Sequence, residues 1–268
     1  MTSNKATDIS AVFAIDNATV EETLRWANDV AHLDVTHLRS TLVAGGKLCD
    51  ICLSLSTYYE ENLQTCRQLI NEGKGDPVIN QKRLPLLERG MDINNLVGYL
   101  TLLQMDATMS VINLMEAQTD SERLLFCKHA CTILSDAYDK GLYKIISKDM
   151  FSLPDEILPK DACVSLWASV KEVKSEMMTQ EEVNTIRNTI DAHKSSSFKE
   201  QIDIYRQCNF GKCFASIYAL MKISWTMQEA MSIARRNLSA LEGDYYKELN
   251  ERLKKWDDLK AQLEGADV

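Results

Sequence analysis

Residues 91–117 read MDINNLVGYLTLLQMDATMSVINLMEA, with apolar side chains on nearly every side of the helix this stretch would make. A helix that is hydrophobic all round is usually buried by others. The stretch therefore predicts a central helix with neighbours on all flanks. Its surroundings agree, because apolar residues recur at helical spacing almost everywhere along the chain.

Upstream, Val35, Leu38, Leu42, Cys49, Cys52, Tyr59, Leu63, Cys66 and Ile70 form one stripe in steps near three and four. That pattern predicts one long helix, or two joined near Gly45 and Gly46. A shorter helix is expected before it, around VEETLRWANDVAH. Between the stripe and the central helix lies GKGDPVINQKRLPLLERG, residues 73–90. Its four breaks, Gly73, Gly75, Pro77 and Pro85, predict the clearest loop of the chain.

Downstream, TDSE opens a helix expected to bury Cys127, Cys131, Leu134, Tyr138, Leu142 and Ile145. SLPDEILP then breaks the chain. A helix from about Asp161 carries Val164, Trp167 and Val170. Thr179 and Glu182 stand three apart, the capping-box spacing of a helix start. The helix after them shows Val183, Ile186, Ile190 and His193 on one stripe. Ser197 and Glu200 repeat the capping-box spacing, so one helix should end near His193 and another begin near Phe198. NFGK reads as a turn. A long helix from about Cys213 to Leu241 follows, and a charged helix with Leu249, Leu253, Trp256 and Leu263 closes the chain.

No strand alternation, hairpin dipeptide or long-period repeat is present. The fold class is all-α, an antiparallel bundle of long helices without a sheet. Residues 1–75 form an N-terminal helical part and 91–268 a second bundle, or the two make one continuous domain.

Composition narrows the function. Among 268 residues, 45% are hydrophobic, and only 4 prolines and 10 glycines occur, which disfavours an all-β fold. A net charge of -9 with 26% charged residues gives no overall basic footprint for coating nucleic acid. No apolar run approaches the ~20 residues of a membrane span, so no membrane partner is expected. The start of the chain lacks the pattern of a signal peptide. A cytoplasmic protein is the expectation, with its 8 cysteines as reduced thiols.

Candidate motifs divide unevenly. CDIC, Cys49 to Cys52, has redox and zinc spacing, but lacks both a βαβ context and a second pair at matching distance. Cysteine is among the most buried residue types, so Cys49, Cys52, Cys127 and Cys131 are expected as buried or half-buried thiols. DVAHLDVTH holds two Asp-x-x-His pairs, Asp29/His32 and Asp34/His37, which is half of a di-iron ligand set. His32 and His37 are about 140° apart on a helix, too far round to share one metal. No metal and no cofactor is assigned. Met221, Met227 and Met231 with Trp225 read as core.

IRNTIDAHKSSS, residues 186–197, places Arg187, Asn188 and His193 where a helix stops. On a straight helix Arg187 and His193 would point about 120° apart, so they converge only if the backbone leaves the helix. Without that departure, His193 continues the apolar stripe and Arg187 pairs with Asp191 at i, i+4. Arg123 and His129 have the same spacing within a periodic helix, so the spacing alone is uninformative. The Asn and the helix stop distinguish the second copy.

That combination resembles the HEPN superfamily, marked by Arg, a polar residue, then His four to six positions further on. The likeness covers about 60 residues around TQEEVNTIRNTIDAHKSSSFKEQIDIY. It implies a helical bundle that commonly forms a homodimer with two motifs face to face. In active members the motif cuts RNA without a metal. Arg187 would then hold the phosphate, His193 transfer the proton, and Asn188 orient one or the other. Between residues 187 and 212, five basic residues stand against three acidic ones, a local +2 compatible with an anionic ligand such as RNA or a nucleotide and equally with a plain solvated face. The resemblance implies a metal-independent endoribonuclease of bacterial toxin or phage-defence type. The alternative is a catalytically silent helical interaction or scaffold module.

Overall fold

A computed structural model describes residues 17–139, 142–191 and 209–266. Helices account for nearly all of them, and no strand occurs among the described residues. The helices are α1 (Asn17–Asp29), α2 (Val35–Asn71), α3 (Pro77–Glu116), α4 (Asp120–Asp139), α5 (Leu142–Lys144), α6 (Lys160–Ser175), α7 (Gln180–Asp191) and α8 (Phe210–Ala266). A π-helical turn, Ile145–Met150, continues α5.

The all-α expectation holds, and α3 is its centre. It packs along α2 on one side and α8 on another, with α4 across it. Fifteen of its forty residues are buried, among them Ile93, Leu100, Val111, Ile112 and Leu114. The core also takes Val20 and Ala27 of α1, Leu38 and Cys52 of α2, Leu134 of α4 and Phe210, Phe214, Ile217 and Leu220 of α8. Burying one such side chain is worth about 1.5–3 kcal/mol.

Residues 73–90 are not the loop that four breaks predicted. Gly73 and Gly75 adopt φ of 62° and 78° and make a short turn. Asp76 then caps α3 by accepting from Val78 N at 2.8 Å, and Pro77 takes the first helical position, where its missing N–H costs nothing. Pro85 lies inside the helix. Leu84 and Leu87 on either side of it pack into a cluster with Tyr59, Leu63 and Cys66 of α2. That packing outweighs the local preference of proline.

Four further expectations need correction. NFGK is no separate turn: Asn209 Oδ1 accepts from Lys212 N at 2.8 Å and caps α8. α8 runs unbroken for 57 residues, where composition suggested two helices. Val164 is 57% exposed, while α6 buries Val170 as expected together with Cys163 and Leu166. Met221, Met227 and Met231 are core as expected, but Trp225 is 46% exposed, against a groove between α2 and α3 beside Gly45 and Met105. Gly45 and Gly46 interrupt nothing, since α2 is continuous through them.

The turn between α1 and α2 explains one Asp-x-x-His pair. Asp34 caps α2, its Oδ1 accepting from Thr36 N at 2.9 Å. His32 sits at φ 51°, the left-handed region where a Cβ is strained. Leu33 N meanwhile donates to Ala27 O at 2.9 Å to close α1. Glycine should suit this position better. His32→Gly is expected to raise stability by about 0.5 kcal/mol, or ~1–2 °C in melting temperature. A thermal melt that falls would contradict the strain.

Candidate functional site

The stretch singled out by sequence lies on α7, and its start is built as the spacing predicted. Thr179 N donates to Glu182 Oε2 at 2.7 Å and Glu182 N donates to Thr179 Oγ1 at 3.2 Å. Lys212 at the start of α8 also bonds Glu182. That ammonium first, and the Thr179 N–H second, hold the Glu182 carboxyl below the usual carboxylate range. Two more bonds seat this end of α7. Tyr138 Oη donates to Met178 O at 2.7 Å, and Met178 N donates to Ser216 Oγ at 2.8 Å. Val183 and Ile186 then enter the core at 0% and 7% exposure, as the stripe predicted.

Arg187 extends toward α4. Its Nη1 donates to Ser135 Oγ at 2.9 Å. The Ser135 hydroxyl donates in turn to Asn184 Oδ1 at 2.8 Å. Arg187 Nη2 lies 3.7 Å from Asp136 Oδ1. Arginine, serine and asparagine thus form one line of bonds from α7 to α4 and back. The Arg187 side chain is 32% exposed and that of Asp136 48%. The described partners of Arg187 stand on α4, and the side chain of Asp191, the partner expected one turn along, lies outside the described residues.

Asn188 continues α7, and its side chain lies outside the described residues, as do the side chains of Ile190 and Asp191. His193 lies outside the described residues altogether, as does the second capping-box pair, Ser197 and Glu200. The comparison pair behaves as a straight helix demands. Arg123 Nη1 bonds Asp120 Oδ1 at 2.9 Å along α4, while His129 is exposed on the same helix.

Chemically, the line can do two things. It fastens α7 to α4, and it holds one edge of a guanidinium in place. A negatively charged ligand approaching Arg187 would meet the Asp136 carboxylate beside it, which repels an anion.

Two other polar groupings escaped sequence reasoning. Asn94 is 2% exposed in the middle of α3. Its Nδ2 donates to Cys52 O and to Ser56 Oγ, both at 2.8 Å, and its Oδ1 accepts from Arg235 Nη2 at 3.0 Å. One side chain therefore ties α2, α3 and α8 together. The signal was an asparagine within an otherwise apolar helix. The second grouping is Cys127, Cys131 and Cys213, each 0% exposed, with Cys213 Sγ donating to Cys127 O at 3.5 Å. Hydrogen bonding to Cys213 first, and burial second, pushes the Cys131 thiol up. All three are core thiols, and those of Cys131 and Cys213 are held protonated. Cys52 is likewise buried and Cys49 half-buried, as expected for both. Among the described residues, no group of three His, Cys, Asp or Glu is placed to hold a metal ion, and no helix is long and apolar enough to cross a membrane.

No family model, curated protein or solved structure matches this chain.

Proposed function

We propose that the chain is a helical scaffold or interaction module in which Arg187 braces α7 against α4. The observation that supports this is what the guanidinium holds. A phosphate-gripping arginine needs its planar fork open to two oxygens. Here Nη1 is bonded to Ser135 and Nη2 lies beside Asp136. The long helices suit the same role. At 1.5 Å per residue, α8 extends about 85 Å, against ~60 Å for α3, so it outruns the central helix it packs along and offers an extended surface.

A second reading is a HEPN-like, metal-independent endoribonuclease of toxin or phage-defence type, working as a homodimer. One observation favours it. Arg187 keeps a third of its side chain exposed near the end of α7, and the chain runs on from that end to His193. In this reading Arg187 holds the phosphate, His193 moves the proton, and Asn188 orients them.

RNA cleavage separates the two. Wild type and His193→Ala would be incubated with structured and single-stranded RNA in the presence of a chelator. The scaffold reading expects no cleavage by either protein. Cleavage by wild type that is lost in His193→Ala would establish the ribonuclease and overturn the scaffold.

A further inference from the structure

We propose that the cleft between α3 and the π-helical turn binds a small organic cation, an ammonium group carried on an apolar body. The cleft has a volume of about 440 Å³, within the range of small-molecule pockets. Its floor is apolar, formed by Leu96, Ile145 and Leu153, the last two almost fully buried. Its rim is polar and of one sign. Asp92 and Asn95 of α3 face Asp149 and Ser152 from the other side, and Tyr99 adds a phenol. Among the described residues, no lysine or arginine lines the cleft.

That lining selects the ligand. Carboxylate, amide and hydroxyl oxygens can all accept from an ammonium, and the apolar floor suits a hydrocarbon or aromatic body. An anion would meet two carboxylates. Asp92 and Asp149 are close enough to act on each other: burial first, and then the charges of Glu88 and Asp149 against the opposing pull of Arg89, leave the Asp92 carboxyl raised. A bound cation would relieve that repulsion. Arg89 offsets Asp92 from outside the described lining, at 3.6 Å. The backbone supports the reading independently. Asp149 and Ile145 belong to a π-helical turn, a form that is rare and is found frequently at functional sites. This site is separate from Arg187 and stands whichever reading of that residue holds.

The test is a titration of the full chain, followed by NMR chemical shifts and by isothermal calorimetry. The probes are phenethylammonium, phenethyl alcohol and phenylacetate, which share a body and differ in charge. Phenethylammonium is expected to bind one to one, shifting resonances of residues 92–99 and 145–153, and to bind at least tenfold more tightly than phenylacetate. In Asp92→Asn/Asp149→Asn its affinity should fall at least tenfold, while that of phenethyl alcohol stays the same. The unchanged alcohol would show that the cleft is still folded. Absence of binding by phenethylammonium, equal binding of phenylacetate, or undiminished affinity in the double variant would each overturn the proposal.

Discussion

Gly90→Leu is expected to lower stability by about 3 kcal/mol or more, or ~6–12 °C in melting temperature. Gly90 is buried on α3, where the helix meets Tyr59 of α2. A Cβ built there would lie 2.2 Å from Tyr59 Cε1, 2.4 Å from Cζ and 2.7 Å from the phenol oxygen. Tyr59 is itself 8% exposed and packed among Leu63, Cys66 and Leu87, so its ring has little room to retreat. Replacing a mid-helix glycine normally gains about 1 kcal/mol in helix propensity. A clash of this depth exceeds that gain, so the sign is set by packing. The explanation is specific to one ring. Gly90→Leu combined with Tyr59→Ala should recover much of the loss, so that the two changes are strongly non-additive. Urea melts of the four proteins would measure this. A Gly90→Leu protein as stable as wild type would mean that α2 and α3 do not approach as closely as described.

The second large effect is at Asn94. Asn94→Leu keeps the branched heavy-atom shape, with larger methyl ends, and removes all three of its bonds, to Cys52 O, Ser56 Oγ and Arg235 Nη2. A neutral hydrogen bond contributes about 1 kcal/mol and one to a charged group about 1.5–3 kcal/mol, and a buried group left unpaired costs its desolvation as well. A loss of about 2–4 kcal/mol follows. The charged partner should dominate, because the Arg235 guanidinium is half-buried and cannot easily turn to water. Asn94→Leu/Arg235→Met should therefore be more stable than Asn94→Leu alone, as expected when a buried polar set is replaced whole rather than broken. If the double variant is the less stable, Arg235 is held by other contacts.

How much of this was legible in sequence depends on the range of the interaction. The central helix and the Thr179–Glu182 box were readable because each is set by residues within a turn or two of one another. Most of the buried face of α2, though not the exposed Ile70, and the Val183 and Ile186 part of α7 were readable for the same reason. Pro85 misled because its local penalty is real but smaller than the packing of Leu84 and Leu87 on α2. The division of α8 misled because composition changes after Leu241, yet nothing there ends a helix. Gly243 lies in that stretch with no atom within 4 Å of a built Cβ, an exposed glycine that weakens the helix by about 1 kcal/mol without stopping it. At the site, Arg187 and Asn184 could be placed on α7 from sequence. Ser135 and Asp136 could not, since they stand about fifty residues away and meet α7 only through packing. Asn94 had a visible signal, a polar residue on an apolar helix, but its three partners come from two other helices.

The measurement that bears most directly on the role of Arg187 is a paired assay of Arg187→Lys, thermal melting and RNA cleavage on one preparation. Lysine keeps the charge and loses the fork that reaches both Ser135 and Asp136. If Arg187 is a brace, stability should fall by about 1 kcal/mol, the worth of a half-buried hydrogen bond, and no cleavage should be present in wild type to lose. If Arg187 instead grips a phosphate, the melt should be unchanged, while wild-type cleavage should drop about 100-fold with the loss of one transition-state donor. An unchanged melt together with that loss of cleavage would contradict the brace.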